Sequence, residues 1–151
     1  DKNAYPYGNS YLSSNICYSF GSRCYSDYAG FWGMMKVKVQ ILNKNITVAE
    51  KVKIADRFIT RLKGLMGSPE LEDGTGLMLV PCNCVHTWFM RYPIDVVFIN
   101  RENTIVKIVD SMKPYHIGSI VKQACSVLEL KAGSCQKLGI TVGDRLKYTE
   151  E

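Results

Sequence analysis

The stretch DVVFINRENTIVKIV, residues 95–109, decides the fold. Two runs rich in Val, Ile and Phe flank Asn100–Asn103, and a turn-forming segment between two β-rich runs predicts a hairpin. Upstream, KVKVQIL at 36–42 alternates charged and apolar residues, as a half-buried strand does. NKN at 43–45 turns the chain into a partner strand, ITVAEKVKIA at 46–55. Asp56 then stands as the N-cap of a short helix whose apolar side is Phe58, Ile59, Leu62, Leu65 and Met66. LMLV at 77–80 is a short strand. Downstream, CSVLELKAG at 125–133 is a strand and turn, Ser134–Leu138 allows one helical turn, and RLKY closes the chain. The sum is about eight short strands with turn signals every ten residues or so. The fold class is mainly β: a jelly-roll-like sandwich or barrel with one short helix at about 57–66.

Composition divides the chain in two. Residues 1–34 hold six of the nine tyrosines, many Ser, Gly and Asn, and no sustained periodicity. They read as an irregular Tyr-rich extension or appended segment, followed by one β domain at 35–151. The 151 residues suit a single soluble domain with its own core. The net charge of +5 is spread without a basic run, which argues against a nucleic-acid footprint. No apolar run is long enough to span a membrane, and the N-terminus shows no signal pattern. The six cysteines are too few for a disulfide scaffold, although Cys17 and Cys24 could close a local loop. The other four read as core thiols in a reducing compartment, so a cytoplasmic location is expected.

Chemistry concentrates in VPCNCVHTWFMRYPIDVVFI, residues 80–99. If residues 82–90 are extended, Cys82, Cys84, His86, Trp88 and Met90 share one face. Two thiolates and an imidazole form a weak candidate metal set, with His116 or water as fourth ligand. The continuation into Trp88 and Met90 reads instead as core, and no cofactor is expected. Asp95 shares a strand face with Val97 and Ile99. A carboxylate there must be hydrogen-bonded, paired, or turned into a pocket. Glu129, between Leu128 and Leu130, is expected to point into solvent.

Four ordered stretches resemble a known family: ADRFITRLKGLMG at 55–67, GLMLVPCNCVHTWFMRYPIDVVFINRENTIVKIV at 76–109, KPY at 113–115 with ACSVLELKAG at 124–133, and LGITVGDRL at 138–146. The chain resembles domain-of-unknown-function family 192, also called uncharacterised protein family 0127. The resemblance implies a compact jelly-roll-type β fold with one helix and no established activity. Its recurring positions correspond to His86, Thr87, Met90 and Asp95. Cys82 matches a cysteine of one branch of the family, whereas Cys84 departs from it.

Two functions follow as expectations. The first is a non-catalytic binding or accessory module with a cleft formed by His86, Thr87, Trp88, Met90, Asp95, Lys113 and Tyr115, taking a small molecule or a protein. The alternative is a small hydrolase or metal-dependent enzyme using His86 with Asp95, or the Cys82/Cys84/His86 face.

Overall fold

The computed structural model describes residues 36–56, 61 and 63–150. The expected extension at 1–34 and the Cys17–Cys24 loop lie outside them. The predicted hairpin is present as β4 (Ile94–Ile99) and β5 (Ile105–Met112), paired antiparallel. Its turn is built by Asn100, whose Oδ1 accepts the N–H groups of Glu102 at 3.0 Å and Thr104 at 2.9 Å. That local bonding is why Asn favours such turns. Before the hairpin come β1 (Lys36–Ile41), β2 (Ile46–Ala55) and β3 (Thr75–Leu79). After it come β6 (Ser126–Lys131), the short helix α1 (Ser134–Leu138) and β7 (Leu146–Glu150). Of the helix expected at 57–66, residues 57–60 and 62 lie outside the described residues, Arg61 and Lys63 are helical, and residues 64–66 form a turn instead, where Gly64 takes a left-handed backbone at φ 46.

The described strands form one seven-stranded sheet in the order β5-β4-β6-β3-β2-β1-β7. Every pair is antiparallel except β2 with β3. The edge strands β5 and β7 approach each other at one end. There Thr104 bridges Arg145, and the Ile105 N–H donates to the Asp144 carbonyl at 2.9 Å. The sheet is therefore rolled but not closed, and the fold is mainly β.

Alternation along the strands divides the core. Val37, Val39, Val52, Met78, Val97, Leu128 and Tyr148 fill the inside of the roll. Leu77, Leu79, Ile94, Val96, Phe98 and Val127 project outward into a second apolar cluster. Two segments cover that outer face and contribute Val85, Met90, Tyr92, Met112 and Ala124 to it. All six residues of β4 are consequently buried.

Candidate functional site

The covering segments, 80–93 and 112–125, are stitched together by backbone bonds. The Val121 N–H donates to the Asn83 carbonyl at 2.9 Å and the Gly118 N–H to the Val85 carbonyl at 2.8 Å, and His86 bridges Ile117. Thr87 is the hub. Fully buried, its hydroxyl donates to the Lys113 carbonyl at 2.6 Å and accepts the His116 N–H at 2.9 Å. Its backbone carbonyl accepts the Tyr115 N–H at 2.9 Å. Thr87 therefore positions the partner loop. The His86 Nδ1 accepts the Trp88 N–H at 3.3 Å, which assigns the proton of a neutral ring to Nε2.

Residues 82–90 do not form a strand, and the expected single core face is corrected. Val85 and Thr87 point into the core, while Cys82, Cys84 and His86 are half-buried on the other side and Trp88 is exposed. Phe89 then adopts a left-handed backbone at φ 60. One residue in that conformation breaks the period-two alternation, so Met90 returns to the interior.

The half-buried side faces a cleft of about 220 Å³ lined by Cys82, Cys84, His86, Met90, Arg61 and Glu129, among others. Glu129 corrects the sequence reading: it is only 3% exposed, and its Oε2 has no hydrogen-bond partner. Its backbone sits on β6 between β4 and β3, opposite Val96 and Leu77, so it projects with them from the outer face. The covering loops bury that face, and burial pushes its carboxyl up to about 8. Burial also raises the Cys82 thiol. That thiol donates to the Cys84 carbonyl at 3.0 Å, and the Cys84 thiol to the Gly118 carbonyl at 3.2 Å. Both sulfurs thus turn toward backbone acceptors. Cys82, Cys84 and Cys135 are free thiols; Cys125, expected to be one, is disulfide-bonded.

The expected cleft is divided. His86 and Met90 line the Glu129 cleft, whereas Lys113 lines a neighbouring depression with Met112, His116 and Ile117. Between them Trp88, Phe89 and Tyr115 form an exposed aromatic group, with ring centroids 5.9–6.4 Å apart.

Asp95 joins none of these. It stands opposite Leu130 on β6, so it points inside the roll, away from His86. Its carboxylate accepts the N–H groups of Ser111 at 2.8 Å, Gly133 at 3.1 Å and Cys135 at 2.8 Å. Ser111, at φ 47, belongs to a bulge where two residues of β5, Asp110 and Ser111, stand opposite one of β4, Asp95. Gly133 and Cys135 open α1, so one carboxylate satisfies both the bulge and the helix start. The geometry for a His86–Asp95 pair is absent. Nor do Cys82, Cys84 and His86 converge: among the described residues, the donors within 4.8 Å of one another are Asp95, Asp110 and Cys135.

Comparison with known proteins adds lineage but no activity. The profile of family DUF192, described as "Uncharacterized ACR", matches residues 39–148. A UPF0127 protein of Pyrococcus abyssi is 32% identical over 112 residues, covering 70% of this chain and 92% of that protein. A solved Novosphingobium aromaticivorans protein of unknown function superposes with a TM-score of 0.65 at 23% identity, covering 74% of this chain and 82% of that one. A Sinorhizobium meliloti structure described as a candidate transcription regulator gives 0.66 at 25% identity, covering 76% and 92%. Fold, ordered motifs and profile agree: this chain belongs to the uncharacterised family DUF192, also named UPF0127.

Proposed function

We propose that the domain is a non-catalytic binding module whose Glu129 cleft receives a small, uncharged polar ligand. The observation that carries this reading is the buried, unpartnered Oε2 of Glu129, a residue that lines an open cleft. Buried polar atoms are nearly always hydrogen-bonded, and the exceptions require an explanation. A carboxyl group held neutral can donate one hydrogen bond and accept another, which suits an amide or a hydroxyl pair. The cleft, at about 220 Å³, is smaller than the pockets that take drug-sized ligands. The neighbouring polar groups support binding over catalysis. The His86 Nδ1 and both cleft thiols are committed to backbone partners.

The test is ligand-detected NMR with a panel of small amides and polyols. Saturable binding is expected in the wild type. It should weaken above pH 8, where the carboxyl ionises, and should lose that pH dependence in Glu129→Gln, which keeps a donor and an acceptor. Glu129→Leu should not bind. Equal affinity in Glu129→Leu would overturn the reading.

A further inference from the structure

The two stitched loops carry a second surface, independent of Glu129. Among the described residues, five of the seven exposed large hydrophobic side chains lie on them: Trp88, Phe89, Tyr115, Ile117 and Ile120, between 43% and 69% exposed. Apolar residues scattered singly need no explanation, but a contiguous group marks an interaction surface. The group is held outward by built structure. Phe89 and Tyr115 both sit at φ 60, a conformation that costs energy for side-chain-bearing residues. The Thr87 carbonyl holds both turns, accepting the N–H groups of Met90 at 3.3 Å and Tyr115 at 2.9 Å.

Among the described residues, the charged side chains that the two loops carry at the aromatic end, Arg91 and Lys113, have one sign, while Lys122 lies beside Glu102 at the other end. Residues 80–94 and 111–125 contain no Asp or Glu, and their charged side chains are Arg91, Lys113 and Lys122, all exposed. The described ion pairs lie elsewhere, at Lys38–Glu50, Lys44–Asp144 and Asp73 with Lys131 and Lys137. The acids nearest in sequence, Asp95 and Asp110, gather with Cys135 on the far side of the sheet. Ring geometry narrows the partner further. The three rings meet at interplanar angles of 51°, 81° and 67°, so none is parallel to another. Such a group is a knob and not a flat stacking platform for a sugar.

We propose that this face docks onto an anionic lipid bilayer, with the aromatic and isoleucine side chains entering the headgroup region and Arg91 and Lys113 meeting lipid phosphates. Trp and Tyr suit that position because an apolar ring carries a polar edge. Apolar insertion and attraction of basic residues to anionic lipids are the two terms of peripheral binding. Among the described residues no helix is long and apolar enough to cross a membrane, and the proposed contact is with the bilayer surface.

Co-sedimentation of the full chain with vesicles tests this, using phosphatidylcholine alone or mixed with phosphatidylglycerol. Binding is expected to the mixed vesicles, falling as salt rises. The double variant Trp88→Ala/Phe89→Ala should bind at least about tenfold more weakly with an unchanged melting curve, because both side chains are exposed. Arg91→Gln/Lys113→Gln should weaken binding and flatten its salt dependence. Three results would overturn the proposal. One is no sedimentation with mixed vesicles; another is undiminished binding by the aromatic variant. The third is concentration-dependent self-association that Phe89→Ala abolishes, which would make the face a contact between copies of this chain.

Discussion

Glu129 pairs with Val96 across β6 and β4, while Asp95, one residue earlier, pairs with Leu130. The two buried carboxylates are thus neighbours along the sheet but project from opposite faces. Asp95 meets three backbone donors, and the Glu129 Oε2 meets none. One is a structural anchor, the other a neutral acid beside a cleft.

Glu129 should make stability depend on pH. Its folded pKa, about 8, lies above its ordinary value of 4.5, so the folded state holds a proton that the unfolded chain releases in that interval. The contribution is fully present below pH 4.5 and is lost as pH rises toward 8. Relative to Glu129→Gln, the wild type should lose roughly 1.4 kcal/mol for each pH unit across that window. Urea unfolding of both proteins at several pH values measures the difference; parallel curves would show that the carboxyl is not buried.

Removing the Asp95 carboxylate should be costly and local to the scaffold. Asp95→Ala leaves three N–H groups without their acceptor, at about 1–3 kcal/mol each where they are buried. Denaturant midpoints should fall accordingly, with Asp95→Asn intermediate. Where the variant stays folded, ligand binding at the Glu129 cleft should be unchanged, since Asp95 faces away from it.

Thr87→Val keeps the shape of the side chain but removes the hydroxyl that joins the two covering loops. The His116 N–H and Lys113 carbonyl lose their partner. A loss of about 1–3 kcal/mol is expected. Hydrogen exchange should accelerate at residues 113–118 while β4 and β6 stay protected. Uniform protection across the loops would contradict the role given to Thr87.

Asp144 acts in the opposite pH direction. Burial favours its neutral form, but hydrogen bonds from Lys44, Thr141 and Asn43 outweigh that and hold it below its ordinary 3.8. Its stabilisation is present above that value and is lost as pH falls through the folded one. Asp144→Asn should therefore destabilise the protein near neutrality by about 1–3 kcal/mol. The gap from wild type should close in acid, and a constant gap down to pH 2 would count against it.

The hairpin at Asn100, the pair around 43–45 and the turn at 134–138 were all legible in the sequence because each depends on neighbours close in the chain. Asp95 was legible as a problem, a charge on an apolar face, though not its solution, since its donors come from Ser111 and α1. Glu129 was missed for a related reason. Alternation separates the two faces of a strand but does not reveal that the second face will be covered. A charge flanked by leucines reads as solvated unless residues 82–90 are known to lie over it. The turn at Phe89 was equally hidden, because no Gly or Asn marks it. An extended reading then placed Met90 with Trp88, when one is buried and the other exposed.

The parallel pairing of β2 with β3 has a wider consequence. Parallel neighbours cannot be joined by a tight turn, so the chain must cross over between them. That crossover brings Arg61, Gly64, Leu65 and Met66 to the Glu129 cleft, yet its described residues lend no strand to the sheet. Leu65 also joins the outer apolar cluster and the Pro69 carbonyl accepts the Tyr92 hydroxyl, so the same connection serves both the core and the cleft. Substitutions in this one connection would therefore alter the cleft wall and the packing of the outer face together, without touching any strand pairing.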